Sequence, residues 1–202
     1  MKRIWAFLAG GFLVCSMTMP QNTLMAQPQK HNEAQVKLQS SASRDANRTS
    51  MLLLDEIRHQ LVTLPYYGVF DWLEGEVLPD RTVVLRGSVV RPTTKSDAEN
   101  RVKSIEGVTK VVNDIEVLPL STMDDQVRRA TYQAIYNFNS PLFQYAIRAV
   151  PPIHIIAKNG HVTLKGGVLN DMDRQLAETA ARQVPGVFDV KNELVVENKQ
   201  TN

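Results

Sequence analysis

Residues 83–89 read Val-Val-Leu-Arg-Gly-Ser-Val, and residues 162–168 read Val-Thr-Leu-Lys-Gly-Gly-Val. The shared V-x-L-x-G-x-V alternation is the period of a half-buried β-strand, with valine and leucine on one face. The two copies stand 79 positions apart, and the likeness runs on beyond them. Residues 83–117 and 162–196 align without a gap and share 11 identities in 35 columns, where composition alone gives roughly two. Past the strand these are Ala98/Ala177, Glu99/Glu178, Gly107/Gly186, Val108/Val187, Val111/Val190, Asn113/Asn192 and Val117/Val196. Apolar positions at structural spacing and turn glycines are what a fold repeats. A catalytic site repeats other residue types.

Outward from the first copy, Leu53, Leu54, Ile57, Leu61 and Leu64 recur at three- and four-residue spacing, which predicts an amphipathic helix stopped by Pro65. Trp72–Val77 is predicted as a first strand, Pro79-Asp80 as a turn and Thr82–Val90 as a second strand. Thr94-Lys95-Ser96-Asp97 has capping-box spacing and is expected to open a helix carrying Ala98, Val102 and Ile105. Gly107 stands where a left-handed C-cap is needed, and Val111, Asn113, Ile115 and Val117 share one face of a third strand. The order is αββαβ. In the second copy, Ser121 or Thr122 precedes Asp124-Asp125 with capping spacing, and Val127, Ala130, Ala134 and Ile135 continue a helix. Ile153–Lys158 and Val162–Leu169 form a hairpin around Asn159-Gly160, the pair a type I′ turn favours. A helix over 172–184 ends in Pro185-Gly186, and Val187–Val196 closes the sheet.

The fold class is therefore α+β: two tandem modules, each a small three-stranded mixed sheet covered by two helices. The hairpin is antiparallel, and a right-handed crossover sets the second and third strands parallel; strand order is not readable. The modules are expected over 50–118 and 121–198, abutting across Leu118-Pro119-Leu120. The second is longer by an insertion around Asn137–Pro152.

Residues 1–26 read as an export signal: Lys2 and Arg3, an apolar run from Ile4 to Met19, Pro20, and Ala26 before a cleavage point. Sixteen helical residues span about 24 Å, short of a bilayer core of about 30 Å, so release is expected rather than anchoring. Val14 before Cys15 departs from a lipoprotein cleavage pattern. Residues 27–49 are polar, lack aromatics and read as a disordered tether. The formal net charge is +2 over the whole chain, and Lys2 and Arg3 account for it. A balanced remainder argues against a nucleic-acid binder, which needs a basic face to displace counterions. Residues 121–202 are slightly basic and residues 50–120 acidic, which favours the second module for an anionic partner. The one cysteine, Cys15, lies in the signal, so no disulfide or thiolate site is expected beyond it.

The V-x-L-x-G-x-V strand, the Ala-Glu pair of the next helix and the G-V-x-x-V-x-N ending (Gly107–Asn113, Gly186–Asn192) resemble the BON domain. This family is named for bacterial osmotically inducible and nodulation-associated proteins. The resemblance covers about 150 residues in two copies. It implies an αββαβ fold, a periplasmic or envelope setting, and a non-enzymatic binding role directed at phospholipid.

Nine aromatics fall in two short stretches: Tyr66, Tyr67, Phe70 and Trp72, then Tyr132, Tyr136, Phe138, Phe143 and Tyr145. Rings beside cations suit a membrane interface, where the cation meets lipid phosphate. Only the second stretch has cations close by, so Arg128, Arg129, Tyr132, Tyr136 and Arg148 are the candidates for lipid or partner contact. The same rings would equally fill the core or a module interface. Two functions follow: binding of an anionic phospholipid surface, or docking of an envelope protein or a second copy. Gly87 and Gly166, inside strand patterns, are expected where a helix crosses close over the sheet. Asn113 and Asn192 are expected to bond a loop. Asp71, Glu74 and Glu76 read as a solvated strand face. His31, His59, His154 and His161 have no metal-ligand spacing, and no nucleophile elbow, P-loop or dinucleotide motif occurs. No metal, cofactor or catalytic residue is expected.

Overall fold

The computed structural model describes residue 44 and residues 48–197. The expected signal, most of the tether and residues 198–202 lie outside the described residues. Helix α1 occupies residues 48–62, reaching into the stretch read as tether. It is followed by β1 (Trp72–Val77), β2 (Thr82–Val89), α2 (Pro92–Lys103) and β3 (Lys110–Val117). The second module holds α3 (Thr122–Ile135), a 3-10 helix (Pro141–Ile147), β4 (Ile153–Lys158), β5 (His161–Val168), α4 (Asp171–Arg182) and β6 (Asp189–Val196). Each sheet runs in chain order with its middle strand central, antiparallel to the first strand and parallel to the third. Register repeats with the sequence: Leu85 faces Asn113 as Leu164 faces Asn192.

The alternation in β2 and β5 sends Val83, Leu85, Val89, Val162, Leu164 and Val168 inward, each at most 1% exposed. Full burial of such side chains stabilises by about 1.5–3 kcal/mol apiece. Against them lie Ile57 and Ala98 in module one, and Val127 and Ala177 in module two. Strand β4 differs from β1, because every residue from Ile153 to Ala157 is buried. Its second face is covered by the first module.

Three local expectations change. Helix α2 begins at Pro92 with no side-chain cap, so no capping box forms. Proline at the first helical position supplies the helical φ and has no N–H to satisfy. Thr94 is then buried inside the first turn. Gly87 and Gly166 are not crossed by a helix. A β-carbon there would stand 1.9 Å from the Trp72 carbonyl oxygen and 1.8 Å from that of Pro152, at φ +128° and +116°. The close neighbour is the backbone at the start of the paired strand. Gly107 and Gly186 are left-handed, at φ +93° and +88°, but they lie beyond the helix caps at Ser104 and Gln183. They occupy the third position of turns closed by Val108 N–H to Ile105 O and Val187 N–H to Val184 O. A type II turn requires positive φ there.

Candidate functional site: the module junction and the module-two insertion

The two modules meet along the loop between α1 and β1. Asp71, 5% exposed, accepts hydrogen bonds from Gly68 N–H at 3.1 Å and Val90 N–H at 2.8 Å. Burial raises its pKa, opposed by those amides and by Arg91 and Arg128. It is a loop anchor, contrary to the solvated strand face expected for it. The loop it holds crosses to the neighbour: Ile155 N–H, on the outer edge of β4, donates to Val69 O at 2.8 Å. A strand edge left open would invite non-native pairing.

Aromatic packing follows from that placement. Phe70 lies edge-on to Tyr132 with centroids 6.2 Å apart, and Tyr132 leans on Tyr136 at 4.9 Å. His154 of β4 sits 5.5 Å from Tyr67 and 5.1 Å from Trp72. It is 6% exposed, its Nδ1 has no hydrogen-bond partner, and burial lowers its pKa. Lys165 bonds Glu74 across the junction and Glu193 on its own sheet, both at 3.1 Å, and stands over the Trp72 ring at 5.6 Å. Lys158 pairs with Glu116 at 2.5 Å. Such exposed ion pairs contribute about 0–1 kcal/mol each.

Beside the junction runs a groove of about 830 Å³, walled by α1 and β1 of one module and by residues 148–154, β5 and β6 of the other. Leu54, Val62 and Val195 line it and remain 43%, 46% and 67% exposed. Arg58 and Arg148 also line it, both exposed and both without an ion-pair partner among the described residues.

A model of the BON domain matches residues 74–119 and 142–198, just over half of the chain. The chain belongs to the BON-domain family. BON domains are associated with membrane and phospholipid binding and are generally non-catalytic. The matched ranges begin after the first helix of each module, and α1 and α3 complete the BON fold here. Among solved structures, the chain is similar to the C-terminal domain of CdsD, a structural protein of the type III secretion system of Chlamydia trachomatis. That match has 16% identity over 71% of this chain and 96% of the other, with a TM-score of 0.26. A second structure of CdsD aligns at 15% identity over 71% of this chain and 91% of the other, also with a TM-score of 0.26. No curated protein matches the chain.

The five residues predicted to contact lipid or a partner do not form one surface. Arg128 is 3% exposed; its guanidinium donates to Ala157 O at 2.8 Å and to Asp125 at 2.5 Å. Its charge was legible, but its direction was not: the helix face that carries Val127 and Thr131 inward takes Arg128 with it. Tyr136 is 6% exposed and donates its hydroxyl to Ile153 O at 2.7 Å. Tyr132 is half-buried between Phe70 and Tyr136. Arg129 and Arg148 are exposed, and neither has an ion-pair partner among the described residues. The insertion that holds Arg148 leaves Phe138 and Ile147 each 79% exposed. Among the described residues no group of histidine, cysteine and carboxylates is placed to hold a metal, and no helix is long and apolar enough to cross a membrane.

Two features escaped the sequence reading. His154 carried no motif, although its place in a strand pattern one residue from two isoleucines marked it for burial. Asn113 and Asn192 bond a helix rather than a loop. Asn113 Nδ2 donates to Lys95 O and Glu99, and Asn192 Nδ2 to Arg174 O and Glu178. Both partners of each pair were among the repeated identities, 14 residues apart in each copy, and that joint repetition was the signal.

Proposed function

We propose that this BON protein is a non-enzymatic binding protein of the bacterial envelope that contacts anionic phospholipid surfaces through its second module. The observation that carries the reading is the insertion. Phe138 and Ile147 stand in solvent within the same insertion as Arg148, Phe138 edge-on to Phe143, and Arg129 adds a second cation without an ion-pair partner among the described residues on α3. Exposed apolar side chains beside cations suit the headgroup region, where rings and aliphatic chains enter the interface and each cation near anionic lipid contributes about 1 kcal/mol. The phospholipid association of BON domains supports the same reading, and the export signal expected over residues 1–26 supports a periplasmic setting. Arg128 and Tyr136, turned inward, have structural roles.

Vesicle co-sedimentation of residues 27–202, the chain left once the expected signal is removed, tests this. Binding to anionic vesicles that weakens in salt, absent on zwitterionic ones, is expected. Replacing Phe138 and Ile147 by serine together with Arg129→Gln should reduce it at least tenfold. Absence of binding by the unaltered protein under every condition would overturn the reading in favour of docking to an envelope protein.

A further inference from the structure

We propose that the groove between the two modules is a separate binding site for one molecule of a single-chain anionic amphiphile, an acyl chain ending in an acidic head. Leu54 and Val62 project from α1 of module one, and Val195 from β6 of module two, all into the same cleft. Apolar side chains from two modules gathered along one concave wall mark a surface built to be covered. A volume of about 830 Å³ is that of a small-molecule site, too narrow for a folded partner.

Charge selects the head. Three cations and three carboxylates line the groove: Arg58, Arg148 and Lys165, with Glu74, Glu193 and Glu197. Lys165 is engaged by Glu74 and Glu193. The two guanidiniums have no ion-pair partner among the described residues, one on α1 and one on the strand approach to β4. A planar fork with free N–H donors takes a carboxylate or a phosphate in bidentate fashion. Lys165, held by two carboxylates, is not free to compete for an anion, so the head is directed to the arginines; Arg58 stands one helical turn from both Leu54 and Val62 on α1, which leaves the chain to run over the neighbouring apolar side chains. A fatty acid and a lysophospholipid share this chemistry. The ligand would touch both modules at once and so tie them together.

The groove shares Arg148, Val150, Pro151 and Pro152 with the insertion but neither Phe138 nor Ile147, and its α1 wall can be tested separately. Palmitate, uncharged hexadecanol and a single-chain lysophosphatidylglycerol, each below its aggregation concentration, are added to residues 27–202, in which Trp72 is the one tryptophan. Binding is read by native mass spectrometry and by the fluorescence of Trp72, which lines the groove. One bound palmitate or lysolipid per chain with a Trp72 emission change is expected, whichever head binds more tightly naming the source. Hexadecanol should bind at least tenfold more weakly. Arg58→Gln and Leu54→Glu should each weaken binding about tenfold or more while vesicle sedimentation persists, because neither residue is in the insertion. No 1:1 complex with either acidic amphiphile, or a complex indifferent to both substitutions, would overturn the proposal. Sedimentation with vesicles alongside that result would leave the surface reading standing.

Discussion

At Gly87 a β-carbon would stand 1.9 Å from the Trp72 carbonyl oxygen, whereas at Gly107 it would meet nothing within 4 Å. Both residues have positive φ, so both resist substitution, but for unequal reasons. Alanine at Gly107 meets only the backbone penalty, about 1–2 kcal/mol. Alanine at Gly87 meets that penalty and also forces the β1 backbone away, which adds a further 1–3 kcal/mol of overpacking strain. Chemical denaturation of Gly107→Ala and Gly87→Ala should therefore show a loss larger for the second by about 1–3 kcal/mol. Equal losses would mean that the close approach to Trp72 relaxes without cost. The repeat puts Gly166, 1.8 Å from the Pro152 oxygen, under the same constraint.

Among the elements, the two hairpins show how one fold is closed in two ways. In module one, Asp80 accepts from Thr82 N–H and Oγ1, both at 2.9 Å. In module two, the turn has positive φ at both Asn159 and Gly160, and its amides donate to Asp124 on α3 at 2.9 and 2.8 Å. Burial raises the Asp124 pKa, but the Gly160 and Asn159 amides and Arg128 outweigh it and hold the group below the ordinary carboxylate value. A depressed folded-state pKa contributes stability that is complete above the unfolded value near 3.9 and lost as pH falls through the folded value. Asp124→Ala should cost about 2–3 kcal/mol at pH 7, and Asp124→Asn roughly half of that. The difference from the parent should shrink below about pH 4. A pH-independent difference would place the loss in helix capping instead. The strands and the Asn-Gly turn were legible because period-two alternation and left-handed turn chemistry are local. Ser121 was legible too, and its side chain accepts from Asp124 N–H. That Asp124 reaches across to the turn was not, since the contact spans 35 residues and depends on tertiary placement. Nor was the inward turn of Arg128, because a helical wheel gives a long cation no fixed end point.

Across the molecule, the modules are joined among the described residues by one main-chain hydrogen bond, Ile155 N–H to Val69 O, by two ion pairs, by the packing of His154 with Tyr67 and Trp72, and by that of Phe70 with Tyr132. The bond contributes about 1 kcal/mol and the exposed pairs less, so the packing of the half-buried rings around His154 carries much of the coupling. That makes the junction sensitive to the charge on His154. Burial lowers its pKa from 6.5, so between the folded value and about 6.5 the unfolded chain binds the proton more readily. Stability is then complete above about pH 6.5 and falls as the solution is acidified toward the folded pKa, by up to about 1.4 kcal/mol per pH unit. Asp71, whose raised pKa gives the opposite slope upward from about 3.8, faces the same junction and offsets part of the loss at lower pH. Scanning calorimetry should record one cooperative transition at pH 7.5. At pH 5.5 it should move to lower temperature or divide in two as the modules uncouple. His154→Phe keeps a ring between Tyr67 and Trp72 but cannot take a proton, so its transition should stay single and move less between the two conditions. An equal acid shift in both proteins would assign the pH dependence to carboxylates elsewhere and leave the coupling of the modules independent of His154.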